Sequence, residues 1–291
     1  MRQPVPSLRW YDIPDPASSD LDQLAKQFTL HELDIEDCRH HPQRAKEEEH
    51  ENYVFCILKR IHVKTELRFR DVCVFLGRDF LITVHTGETD LIDRIAKKGV
   101  EEKDTRLDRV FYNLVDAIVD EYLPVLDATS EKISEMESGV IENPKPELLR
   151  QIFHLKRKLI NFRRVVSEMR ELVNAVLRRE KGIVGDDLDH YFRDVYDHLV
   201  RTLDLIETNR DLLTGSLDIY LSAVANRTNE VMKVLTVWGT VALPMVIITG
   251  FFGMNLHLPW TQTPHGAWYA TGLMIASTVG ILIYFRRKGW F

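Results

Sequence analysis

From Val234 to Phe285 the chain contains no Asp, Glu, Lys or Arg, although charged residues make up 28% of the whole. Within that stretch, Val234–Phe252 and Ala267–Phe285 are apolar blocks of 19 residues each. At 1.5 Å per helical residue each block is roughly 28 Å long, which matches the hydrocarbon core of a bilayer. The pattern predicts a transmembrane hairpin rather than a buried core hairpin, joined by the short polar segment Gly253–Gly266. Upstream the pattern changes twice. To about Lys103 it mixes strands and short helices. Leu8–Ile13 alternates, Tyr53–Val63 is rich in strand formers, and Leu67–Val84 reads as two strands around a Gly77-Arg78-Asp79 turn. Ser18–Phe28, Leu30–Arg39 and Thr89–Lys98 read as helices, with Ser18 or Ser19 as N-cap. After Arg106 only a helical period remains: Arg106–Ile141, then Pro146–Arg179 after an Asn-Pro-Lys-Pro break, then a helix capped by Asp186 that runs from Asp187 to Phe252. A helix of that length needs partner helices, from this chain or from other copies.

Charge sharpens the picture. Glu147–Lys181 carries ten basic against four acidic residues, and Asp186–Glu230 ten acidic against four basic, so the two helices should lie antiparallel with opposite faces together. Each exposed pair contributes only about 0–1 kcal/mol, so this is a register signal more than a stability term. Lys233 precedes the first span and Arg286-Arg287-Lys288 follow the second, while the connecting segment has no basic residue. The positive-inside rule then places both ends in the cytoplasm of a multi-pass inner-membrane protein. No apolar block stands at the N-terminus, so no cleavable signal is expected. Cys38, Cys56 and Cys73 are too scattered for a metal motif and read as small buried or half-buried residues.

The expected organisation is an α/β unit over 1–105, a helical bundle and stalk over 106–230, a first span over 231–252, an outer loop over 253–266, a second span over 267–285 and a basic tail over 286–291. On the first span's helix, Asn229, Met232, Leu235, Gly239, Leu243 and Val246 share a face; if that span lines a pore, this face lines it, with Asp218 as a further polar ring down the stalk. From Asn229 onward these are spaced by three or four residues on one face. Ordinary helix packing would give the same spacing. Gly272, Ala276 and Gly280 form a small-residue stripe on the second span, suited to close helix contact. In the loop, His257 and His265 are candidate metal ligands, borderline donors that suit zinc, cobalt or nickel, although interfacial polarity beside Trp260 also explains them. His31, His40 and His41 look metal-like too, and an exposed helix end explains them equally well.

Gly253-Met254-Asn255 at the exit of the first span follows Asn229-Glu230-Val231-Met232-Lys233-Val234-Leu235-Thr236. With Glu51–Phe55, Tyr191–His198 and the terminal Arg-Arg-Lys-Gly-Trp, this closely resembles the CorA family of magnesium channels, from about Leu21 onward. The resemblance implies a homopentamer with an α+β cytoplasmic domain, a long helical stalk and a C-terminal two-helix transmembrane hairpin. It implies a channel for hydrated Mg²⁺, with Co²⁺ or Ni²⁺ as further cargo, and a selectivity filter of Gly253, Met254 and Asn255. Mg²⁺ prefers octahedral oxygen and releases water reluctantly. A ring of neutral Asn255 amides can hold the ion through its water shell without trapping it. The resemblance also implies regulation by cytoplasmic Mg²⁺ bound between subunits, at Asp37 with Glu36, Asp194 and Asp116. The partners implied are other copies of the chain, lipid and divalent cations, with no nucleic acid and no organic cofactor. Two departures stand out: Phe252 replaces the usual Tyr, and the loop lacks the acidic Met-Pro-Glu-Leu segment. A zinc transporter of the same superfamily is an alternative, though Met254 argues against it. A non-conducting, membrane-anchored divalent sensor or scaffold is another, and it would not need Asn255. No P-loop, catalytic triad or hydrolase signature is present, so an enzyme is not expected.

Overall fold

The computed structural model describes residues 1–63, 67–87, 90–101, 106–179, 182–254 and 265–290. They divide into two units, Met1–Leu217 and Asp218–Phe291.

The first unit is built on a five-stranded sheet. Its strands are β1 (Trp10–Ile13), β2 (Lys46–Glu49), β3 (Tyr53–Val63), β4 (Leu67–Gly77) and β5 (Leu81–His85), in the order β1-β5-β4-β3-β2. β1 runs parallel to β5, and the remaining pairs are antiparallel. The long β3–β4 hairpin sets the register, with Phe55 opposite Phe75 and Cys56 opposite Val74. Because side chains alternate along a strand, Tyr53, Phe55, Ile57, Cys73 and Phe75 face one way. They pack under α1 (Ser19–Phe28) and α2 (Glu32–Arg39) through Leu21, Leu24, Ile35 and Cys38. Val54, Cys56, Leu58, Val72 and Val74 are also buried, on the other face. There α4 (Leu107–Asp120) and α6 (Pro146–Leu177) contact the strands. A sheet covered on both faces explains why β3 reads as an almost continuous apolar run.

Local chemistry sets the element ends. Ser18 caps α1 by accepting from the Asp20 N–H at 3.2 Å. At the β4–β5 turn the Gly77 N–H donates to the Phe80 carbonyl at 2.9 Å, and the Phe80 ring occupies the space a Cβ on Gly77 would need. Pro146 stands in the first turn of α6. The three cysteines are free and buried.

Several elements differ from expectation. Lys46–Glu49 forms a strand although it is Lys-Glu-Glu-Glu, because β3 offers it a free edge to pair with. The predicted helix Arg106–Ile141 is two helices, α4 and α5 (Tyr122–Glu142), with Glu121 between them. The Tyr122 hydroxyl, buried at this junction, donates to the Lys59 carbonyl. Asp186 does not cap the last long helix. It lies in a 3₁₀ turn, Asp186–Leu188, whose N-cap is Gly185, and α7 begins afterwards at Asp189 and ends at Phe252.

The charge segregation of α6 and α7 is realised as antiparallel pairing. Arg163 pairs with Glu207, and Lys156 reaches Thr214 at 3.2 Å. Both pairs obey one register, seven residues forward on α7 for seven back on α6. Ser130 and Asn209, at 2.9 Å, tie α5 to the same helix.

The second unit holds the rest of α7 and α8 (Gly266–Arg287). Both helices are long and apolar enough to cross a membrane. Only 6% and 11% of their most apolar windows are buried, which decides against a core hairpin of a water-soluble domain.

Candidate functional site: the outer end of α7 and its exposed stripe

Pro244 lies inside α7 without ending it. The helix ends at Phe252, two residues beyond Gly250. The Gly253 N–H still donates to the Thr249 carbonyl at 2.9 Å, and the Met254 N–H reaches the Phe251 carbonyl at 3.4 Å. A Cβ added at Gly253 would stand 2.9 Å from the Thr249 carbonyl oxygen, inside van der Waals contact with backbone. Glycine is therefore what this exit geometry requires. Met254 is exposed. Asn255 and His257 lie outside the described residues. His265 is the N-cap residue of α8, where its carbonyl accepts from the Trp268 N–H at 3.0 Å and its side chain makes no cap bond.

Asp218, Asn229, Met232, Leu235, Gly239, Leu243 and Val246 are all exposed on α7. At 100° per residue, Asn229 to Val246 on this set span an arc of about 120°. Between Asn229 and Phe252 the less exposed residues of the same helix are Val237, Val241, Pro244, Met245, Ile248 and Phe252. They occupy roughly 100° centred on the opposite side. The span thus has one sheltered face and one bare face. The bare face carries the candidate stripe. α8 has its own sheltered row, Ala270, Met274, Ser277, Thr278, Ile281 and Phe285. Gly272, Ala276 and Gly280 are outside that row and exposed, with open space around both glycines.

The candidate regulatory acids are placed in two layers of the first unit. Glu36 and Asp37 are on α2. Asp37 pairs with Lys46 at 2.6 Å, and Glu36 lies 4.0 Å from His40. Asp116 is on α4 and Asp194 on α7, where the structure brings them together with Asp120 and His198. His198 lies 3.8 Å from both Asp120 and Asp194. Burial, reinforced by the Asp120 charge, pushes the Asp116 carboxyl above its ordinary range. The same surroundings push the Tyr112 phenol up to about 12, chiefly through burial and then the Asp116 charge. Asp194 is two-thirds exposed. Asp120 and His198 were not singled out from sequence, although Asp120 is one turn from Asp116 and His198 one turn from Asp194.

The three histidines of the sequence reading do not converge. His31 is the N-cap of α2, with Nδ1 accepting from the Leu33 N–H at 3.2 Å, and His40 is the C-cap at the opposite end. His41 Nδ1 is 3.0 Å from Asp71. Instead His31 stacks on His50, which sequence reasoning did not select.

The family description "CorA-like Mg2+ transporter protein" matches residues 6–287. The cobalt/magnesium transport protein CorA of Thermotoga maritima is 33% identical, over 97% of this chain and 83% of that one. The protein of the same description from Methanocaldococcus jannaschii is 25% identical over 97% of this chain and 91% of its own length. The complete structure of the CorA magnesium transporter from M. jannaschii superposes with a TM-score of 0.86, covering 97% of this chain and 91% of that chain.

Proposed function

Because this chain belongs to the family of CorA-like Mg²⁺ transporter proteins, we propose that it is a channel for hydrated Mg²⁺, with Co²⁺ and Ni²⁺ as further cargo. Copies of the chain assemble as a homopentamer in the inner membrane, with both termini in the cytoplasm. The bare stripe of α7 faces the central axis. That stripe is the observation that carries the reading: a helix with one sheltered face and an opposite face of Asn229, Met232, Leu235, Gly239, Leu243 and Val246 needs something other than its own chain against it. In a ring of identical helices that face lines a shared path. Met232 and Leu235 then form apolar rings near the cytoplasmic end, which close by excluding water. Asn229 and Asp218 form polar rings further in.

At the outer mouth, Gly253 lets the chain leave the helix. Two residues on, Asn255 presents a neutral amide oxygen. One such oxygen per subunit accepts hydrogen bonds from the water shell of Mg²⁺, so the ion is selected without losing tightly held water. Inward flow is driven by the membrane potential, about 4.6 kcal/mol per 100 mV for a dication.

The placement of the acids supports regulation by a dication bound between chains. Within one chain Asp37 lies on the α1–α2 side of the sheet and Asp194 on the α4 side, so a single dication joins them only between neighbouring chains. Glu36 and Asp116 add to the two acidic faces. High cytoplasmic Mg²⁺ bridges the faces and holds the ring closed; low Mg²⁺ lets them repel and the pore opens, a negative feedback.

The test is Mg²⁺ influx into liposomes carrying Asn255→Ala. Flux should vanish while the oligomer, measured by size-exclusion with light scattering, is unchanged. Wild-type flux in this variant would remove the filter from the reading.

A further inference from the structure

Apart from the pore helix and the acids discussed above, one group of side chains has donor chemistry that neither uses. Asp34 on α2, Glu48 on β2 and His50 just beyond it each offer a ligand atom, and these atoms lie within 4.8 Å of one another. The Asp34 side chain is fully buried. Its Oδ2 accepts from the Tyr53 hydroxyl at 2.7 Å, whereas its Oδ1 is buried with no hydrogen-bond partner. An unsatisfied buried carboxylate oxygen is costly and calls for a counter-charge. His50 Nε2 comes to 2.8 Å of Asp34 Oδ2 without the alignment of a hydrogen bond. The imidazole is held in place by stacking on Tyr53 at 4.5 Å and on His31 at 5.5 Å. Glu48 Oε1 accepts from Lys46 at 2.5 Å, so a ligated Glu48 uses its other oxygen or gives up that pair.

We infer that Asp34, Glu48 and His50 form a binding site for a borderline transition-metal dication, Co²⁺, Ni²⁺ or Zn²⁺, within a single chain. One imidazole nitrogen and two carboxylate oxygens are a donor set these metals take, with bonds of about 2.0–2.2 Å and a position left for water. Around such an ion, donors stand roughly 3.3 Å apart, a separation close to the 4.8 Å within which these atoms already lie. Mg²⁺ demands octahedral oxygen and gains nothing from the imidazole. The site is therefore chemically distinct from an all-carboxylate bridge at Asp37 and Asp194, and from a filter that holds water. His50, a quarter exposed, is the open side through which the ion enters.

The experiment uses the full chain in detergent, stripped with chelator and titrated with Co²⁺ in a large excess of Mg²⁺. Wild type should take up one Mg²⁺-resistant Co²⁺ per chain, with the intense visible absorption of low-coordinate cobalt. His50→Gln and Asp34→Asn should each weaken that binding at least about tenfold. A variant carrying Asp37→Asn and Asp194→Asn should keep it. Circular dichroism checks folding; if the buried Asp34→Asn change unfolds the chain, the half-buried His50→Gln change decides alone. An unchanged cobalt titration in His50→Gln, displacement by Mg²⁺, or loss of the site in the Asp37/Asp194 variant would each overturn the inference.

Discussion

Replacing Gly253 by Ala should separate stability from conduction. The new Cβ would stand 2.9 Å from the Thr249 carbonyl oxygen, and that oxygen also accepts the Gly253 N–H at 2.9 Å. Relief requires a backbone shift of a few tenths of an ångström, since the obstacle is main chain rather than a flexible side chain. Stretching the hydrogen bond costs about 0.5–1.5 kcal/mol. Gly253 lies one residue past the helix end, so no gain in helix propensity offsets that cost, and the melting midpoint of the purified protein should fall only by the equivalent of this small term. Conduction should suffer more, because the displaced backbone leads on to Asn255 two residues later. Mg²⁺ influx in liposomes should fall at least tenfold, equivalent to about 1.4 kcal/mol in the barrier. Gly215→Ala is the control: it lies in the same helix with open space around it, so it should keep flux and gain a fraction of a kcal/mol. Gly253→Ala protein that conducts like wild type would refute the claim that the missing Cβ shapes the mouth.

Further outcomes are expected elsewhere. Asp37→Asn with Asp194→Asn should shift the cytoplasmic Mg²⁺ needed to stop flux at least several-fold upward, and wild-type inhibition in the double variant would reject the bridging acids. Lys59→Met should destabilise the first unit by about 3–5 kcal/mol, because it leaves Asp71, paired with Lys59 at 2.5 Å and almost fully buried, without its cation; chemical denaturation of the purified chain reads this, and a change under 1 kcal/mol would contradict it. Asp90 is held down at about 2, first by its hydrogen bonds from Arg60. Its contribution is complete above the ordinary carboxylate range and is lost as pH falls toward 2, so the stability gap between wild type and Asp90→Asn should close between about pH 4 and pH 2. The gap itself should be under about 1 kcal/mol, as Asp90 is more than half exposed. A gap that widens on acidification would reverse the sign of the argument.

Much of this protein was legible along the chain because its strongest forces are local or periodic. Fifty-two residues without a formal charge define a membrane hairpin whatever surrounds them, and Tyr53–Val63 was readable because a strand buried on both faces must be apolar throughout. Ser18 and Pro146 marked helix starts through hydrogen bonds and ring geometry confined to one turn. Lys46–Glu49 was not legible: an edge strand is held by its neighbour's backbone, and its charges serve the open side. The division at Glu121 escaped for a similar reason, since Tyr122 anchors to the carbonyl of Lys59, 63 positions away.

The order of charge along the last 150 residues by itself determined which helices pair, where the bilayer segments fall and which tripeptide stands at the first span's exit. Only the folded chain decided which face of α7 is bare, that a Cβ at Gly253 would crowd the Thr249 carbonyl, and that Asp34, Glu48 and His50 meet. Periodicity assigns residues to faces of a helix, but what each face meets depends on contacts between segments far apart in sequence. Such contacts exist only once the sheet has paired and the helices have packed.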